Sequence, residues 1–294
     1  MSFSKVKYGI FSFIIVLLLM PIGHALMVLT ERFFHTNMLL AAFGIGIAGT
    51  SLVFLGIVKD QNKKTATLLG LLGGILVWTG WVEFSFVWIA QKLNVSPLME
   101  NGEVATKPEY LVMMSSLGLL SVFTMFFLSS QTRCQFFSWF QKVFGIKVRT
   151  RMLEKAEKFI AVTTFIETIM ILWMFYIVLL LVYDNDIAGS NHPITYVVAF
   201  GSLFWSIYLF LRLIKIQEFD YAIRYAVPTV IIFWNFVEVM GRWDLLNEIW
   251  VEPTEYVMEV SIIFALFFAF TWYYVKEIKE EKKLHGRKKS YKDK

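Results

Sequence analysis

Two glutamates in this chain stand among aromatic residues in segments that resemble each other: WTGWVEFSFVW at 78–88 and FWNFVEVMGRW at 233–243. Aligned without gaps, Trp78, Trp81, Glu83 and Trp88 fall on Phe233, Phe236, Glu238 and Trp243. An acid in such apolar company must carry a proton or find a cation, a metal or a hydrogen-bond donor, because a bare carboxylate costs several kcal/mol outside water. Arg242, one turn beyond Glu238, is a local partner for one of the two; the first segment has Val87 there.

Histidines and further acids accompany them. His24, Glu31 and His35 are separated by seven and four residues, and at about 100° per residue they fall within ~40° on one helix face if the helix continues that far. Such a set suits Zn²⁺, Mn²⁺, Fe²⁺ or Cu²⁺, so a divalent transition metal is the cofactor it admits, and it also suits a proton relay. Thr36-Asn37 is a turn signal that works against this arrangement. Two related pockets are the main expectation: His35, Glu83 and Glu109 in one, His192, Glu238 and Glu255 in the other. One haem between His35 and His192 is the most that four histidines, one of them in the tail, permit. The aromatic rings beside the acids also suit a cage for an organic cation or a flat cofactor.

The elements that must hold these groups are membrane helices. Of 294 residues, 57% are hydrophobic and 17% charged, and the mean hydropathy is +0.60. Soluble domains carry about a quarter charged residues. Eight apolar runs approach the ~20 helical residues that cross a bilayer: 8–29, 37–58, 66–90, 110–130, 159–183, 193–214, 222–243 and 256–275. The expected fold is therefore all-α, with eight transmembrane helices. Lysine and arginine crowd the loops that share a side with both termini, which places the termini in the cytoplasm of a multi-pass plasma-membrane protein. Pro21 and Pro228 fall inside the first and seventh runs. Glu167 lies deeper from the opposite side, where an interhelical hydrogen bond is the expectation.

The paired acids belong to a longer repeat. Ala42-Phe43-Gly44 follows His35 at the distance at which Ala199-Phe200-Gly201 follows His192, and Pro108-Glu109-Tyr110-Leu111-Val112-Met113 matches Pro253-Thr254-Glu255-Tyr256-Val257-Met258 with one residue inserted. Residues 1–130 and 159–275 read as two parallel, pseudo-symmetric four-helix units. Between them, 131–158 carries Phe136, Phe137, Trp139, Phe140, Val143, Phe144 and Ile146 with Lys142, Lys147, Arg149 and Arg151, the composition of an amphipathic interfacial helix that meets anionic lipids. The charged tail 276–294 reads as a solvated cytoplasmic extension with the same partner.

Several classes are excluded. No mid-membrane lysine suits retinal, and no arginine ladder suits a voltage sensor. Phosphate-loop, GxSxG and histidine-box patterns are absent, the one cysteine, Cys134, rules out an intramolecular disulfide, and the charge runs do not suit nucleic acid. Three readings stay open: cation, proton or metal binding near the outer face for transport or sensing; a metalloenzyme or oxidoreductase subunit using His24, Glu31 and His35 on a lipid or quinone; and a non-catalytic subunit partnered by another membrane protein or a second copy.

Overall fold

A computed structural model describes residues 3–100, 103–130, 134–146 and 159–292. The first half comprises α1 (Phe3–Phe34), a 3-10 turn (His35–Asn37), α2 (Met38–Val58), and α3 (Lys63–Val77), which passes through a π-helical segment (Trp78–Glu83) into α4 (Phe84–Lys92). A hairpin of β1 (Leu98–Glu100) and β2 (Glu103–Thr106) leads to α5 (Pro108–Met114) and α6 (Leu117–Ser129). Then come α7 (Gln135–Val143), α8 (Ile160–Tyr183), α9 (Pro193–Leu213), α10 (Phe219–Arg242) and α11 (Val257–Lys292).

Among the described residues, five helical stretches are long and apolar enough to cross a membrane: Val6–Val58, Lys63–Lys92, Ile160–Tyr183, Pro193–Leu213 and Phe219–Arg242. The pair α5–α6 makes a sixth if its 50° bend interrupts a single span, and the apolar part of α11, Val257–Tyr273, is shorter. At the bend, the Ser115 and Ser116 hydroxyls donate to the carbonyls of Val112 and Met113, the local competition for backbone acceptors by which serine disturbs helices. Trp173 Nε1 donates to Ser116 Oγ at 2.8 Å and ties the bend to α8.

Val6–Val58 is one apolar stretch that reverses direction. Lys64 lies over the Tyr8 ring and Gly23 faces Ile75 and Thr79, so α1 and α3 run the same way. Gly56 faces Ala66 and Leu69 while Gly80 faces Ala42, so α2 opposes α3 and therefore α1. The reversal is at His35, whose φ of +25° lies where non-glycine residues are uncommon. The expected single face of His24, Glu31 and His35 is thereby lost: His35 leaves the helix and is exposed.

Between helices in lipid there is little hydrophobic drive, so association rests on close packing and hydrogen bonds. Gly49 and Gly73 supply the closest approach of α2 and α3; a Cβ on Gly49 would lie 2.9 Å from the Gly73 carbonyl oxygen. The same pairing recurs in the second half, where α9 packs on α10, and the halves join by α1 lying on α10 and α8 lying on α3. Phe43 of α2 stacks on Trp81 at 6.0 Å, and Phe200 of α9 meets Phe236 at 5.9 Å.

Helix α7 turns part of its apolar side inward. Phe136 and Phe137 are buried in the core, against Phe127, Phe175 and Trp205. Gln141 anchors it by donating to the carbonyls of Phe127, Leu128 and Ser130, which the end of α6 leaves without helical donors. Trp139, Val143, Phe144 and Ile146 remain exposed. Lys147, Arg149 and Arg151 lie outside the described residues, as do the side chains of most of the charged tail.

Candidate ligand-binding cavity

Five helices, the hairpin and the loop after α10 line a cavity of about 240 Å³. From α1 come Gly23, His24 and Met27; from α3 and the π segment, Ile75, Trp78, Thr79 and Glu83; from α8, Phe175, Tyr176, Leu179 and Tyr183; and from α10, Ile231, Trp234, Asn235, Glu238 and Arg242. Val104, Thr106, Lys107 and Tyr110 close one side, and Glu248 and Val251 another. Glu83 and Glu238, the two repeated acids, thus share one cavity in place of the two separate pockets expected.

Each acid is held by a donor in its own manner. Trp234 Nε1 donates to Glu238 Oε1 at 2.6 Å, across one turn of α10. Glu83 accepts from the Tyr176 hydroxyl at 3.2 Å, and that hydroxyl also meets His24 Nε2 at 2.8 Å. A phenol has one proton. That proton is directed either to Glu83, with His24 donating from Nε2, or to His24 Nε2, so the Tyr176 hydroxyl bridges the two groups.

The π segment explains a mismatch in the gapless alignment. Trp234 precedes Glu238 by four residues and Trp78 precedes Glu83 by five; a π turn spans one residue more than an α turn, so Trp78 stands where Trp234 stands. Its buried Nε1 lies close to the Glu83 carboxyl. Among the described residues the Tyr183 hydroxyl and Asn235 Nδ2 are buried without hydrogen-bond partners. These two lining residues therefore present unused polar atoms, which buried groups seldom do without a ligand or ordered water.

Aromatic rings surround these atoms. Trp78 lies 5.5 Å from Tyr176, Tyr110 lies 6.2 Å from it, and His24 stacks on it at 6.0 Å. Arg242, expected beside Glu238, lies over the Tyr183 ring at 4.8 Å and donates to Ser190 Oγ. Glu248 sits in the loop after α10, where burial raises its carboxyl above the ordinary value against the opposing effect of Arg242. Among the described residues neither Glu83 nor Glu238 forms an ion pair, in contrast to Glu167, which Arg224 binds through two hydrogen bonds.

Comparison with protein families, with characterised proteins and with solved structures finds no match.

The remaining expected ligands do not converge. Glu31 and Glu109 line a separate open cleft with Lys107, Gln91 and Asn94. His192 caps α9, its Nδ1 accepting from the Ile194 N–H at 3.3 Å, and both His192 and Glu255 are exposed. Among the described residues no three His, Cys, Asp or Glu side chains gather to hold a metal ion. The sequence reading missed Thr79, Tyr110, Tyr176, Tyr183 and Asn235. Asn235 had a signal, since it lies three residues before Glu238 and so on its face of the helix; Tyr176, within an apolar run, had none.

Proposed function

We propose that this chain is a membrane protein that binds a small organic cation in one central aromatic cavity and exchanges it with protons, in the service of transport. The observation that carries this reading is that Glu83 and Glu238, far apart in sequence, line the same cavity and, among the described residues, neither forms an ion pair, although Lys107 and Arg242 also line it. Two carboxylates beneath a membrane surface need positive charge, and protons or a bound cation are the alternatives. The rings of Trp78, Tyr110, Tyr176 and Trp234 favour an organic cation, whose charge they attract through their faces. At about 240 Å³ the cavity is smaller than the ~300–1,000 Å³ typical of ligand sites, which suits only a small molecule. The Tyr176 hydroxyl bridges Glu83 and His24, while Glu238 has a fixed indole donor.

The architecture we infer is eight crossings in two copied four-helix units, with both termini cytoplasmic at the plasma membrane. It counts Val6–Val58 twice because of the reversal at His35, and α5–α6 and α11 once each. The reciprocal packing of α1 on α10 and α8 on α3 supports the duplication, as do the paired contacts Phe43–Trp81 and Phe200–Phe236.

The test uses purified full-length protein and tetraethylammonium as probe. Thermal stabilisation by millimolar tetraethylammonium that Glu83→Gln and Glu238→Gln each reduce, together with proton flux driven by the probe in vesicles, supports the reading. Correctly folded wild-type protein that responds to neither tetraethylammonium nor smaller alkylammonium ions overturns it.

A further inference from the structure

On the side of the molecule where α1 begins and α9 ends, a second cavity of about 350 Å³ lies between α7, the end of α9 and the start of α10. Its walls are aromatic and its rim is basic. Trp139 and Lys142 come from α7, Trp205 and Arg212 from α9, and Tyr221 and Tyr225 from α10, with buried Pro228 also lining it. Because Phe136, Phe137 and Gln141 fix α7 against the core, Trp139 is held 5.6 Å from Trp205 and Lys142 is held beside them.

We propose that this cavity binds the headgroup of an anionic phospholipid. Arg212 donates to the Tyr208 hydroxyl at 3.1 Å and lies against that ring, so its guanidinium is oriented at the rim and keeps further donors for phosphate oxygens. Lys142 adds a second exposed cation. The occupant is a lipid because the rim continues onto an apolar surface: Phe204, Ile207 and Leu211 of α9 are exposed and offer a track for an acyl chain. The tryptophans and tyrosines match the polarity gradient of a membrane interface, one end apolar and the other wet. Basic recesses between spanning helices at the cytoplasmic boundary are built for this chemistry.

The experiment is native mass spectrometry of the detergent-purified full chain titrated with phosphatidylglycerol, phosphatidylcholine or inorganic phosphate. Wild type is expected to retain one phosphatidylglycerol in preference to phosphatidylcholine. The double variant Lys142→Gln/Arg212→Gln is expected to bind it roughly thirtyfold more weakly, from the contribution of two cations. Lys142→Arg/Arg212→Lys should retain it, and Lys59→Gln/Lys63→Gln, which removes the same charge elsewhere, should leave binding unchanged. Equal retention of both lipids, unchanged binding in the Lys142→Gln/Arg212→Gln protein with its fold intact, or equal occupancy by inorganic phosphate each overturns the proposal.

Discussion

At the scale of single residues, Arg224 is the one whose position differs most from what its sequence context suggests. It falls at the edge of an apolar run, where it reads as a loop cation, yet it lies in the second turn of α10 with its side chain 14% exposed, against Glu167 at 7%. Two hydrogen bonds join them in the forked geometry that arginine favours. Hydropathy weighs a charge by itself, and a charge cancelled by a partner on another helix is invisible to it. Glu167 was legible as an acid requiring a donor; the donor was not. Removing one partner leaves the other buried and unpaired, which costs about 3–5 kcal/mol, whereas replacing both with apolar groups of similar size is nearly neutral. Arg224→Met alone should therefore lower the thermal midpoint strongly, and Glu167→Leu/Arg224→Met should recover most of the loss. Cys134 is 3% exposed, and burial raises its thiol well above the ordinary value. Thiolate is the form that alkylates, so maleimide at pH 7 should modify it at least roughly tenfold more slowly in folded protein than after denaturation.

At the scale of elements, the π segment between α3 and α4 links sequence repetition to cavity geometry. The repeated glutamates were legible from the aromatic residues around them, but a gapless alignment sets Trp78 against Phe233, because sequence spacing does not reveal that one turn is widened. The widened turn brings Trp78 to Glu83 as an ordinary turn brings Trp234 to Glu238. It also lets Gly80 and Trp81 face α2, where Trp81 Nε1 donates to the Phe43 carbonyl at 3.1 Å. If the segment is an α-helix carrying one extra residue, deleting Thr79 restores a plain helix and keeps the register of both flanks. Deleting Leu72, inside α3, rotates everything beyond it by about 100° and points Glu83 away from Tyr176. Protein lacking Thr79 should remain folded and monodisperse in detergent, and protein lacking Leu72 should aggregate; the same fate for both would refute the bulge account. The helices themselves were legible because apolar length is a strong signal. The break at Ser115–Ser116 and the inward turn of α7 were not, since they depend on a hydroxyl meeting Trp173 and on Gln141 meeting the carbonyls that end α6.

At the scale of the whole molecule, the shared cavity is a consequence of how the two halves meet. If each half kept its acid within its own four helices, two pockets would result, as the sequence suggested. Here α10 lies on α1 and α3 lies on α8, so each acid-bearing helix packs against the opposite half, and the two acids face a common space. The proposed duplication has both halves enter the membrane from the same side. On that proposal the loops divide into two sets: residues 59–62 and 214–218 on the side of the termini, and residues 93–97, 184–192 and 243–256 on the other. With Cys134 changed to alanine, single cysteines at Gln61, Ser96, Asn185, Gln217 and Asn247 report the side directly, because all five positions are exposed. An impermeant maleimide applied to intact cells should label the cysteines at Ser96, Asn185 and Asn247, and those at Gln61 and Gln217 only after permeabilisation. Labelling of Ser96 and Asn247 from opposite sides would place Glu83 and Glu238 near opposite faces of the bilayer. No single cavity could then hold them both, and the proposed exchange of cation for protons would have no site.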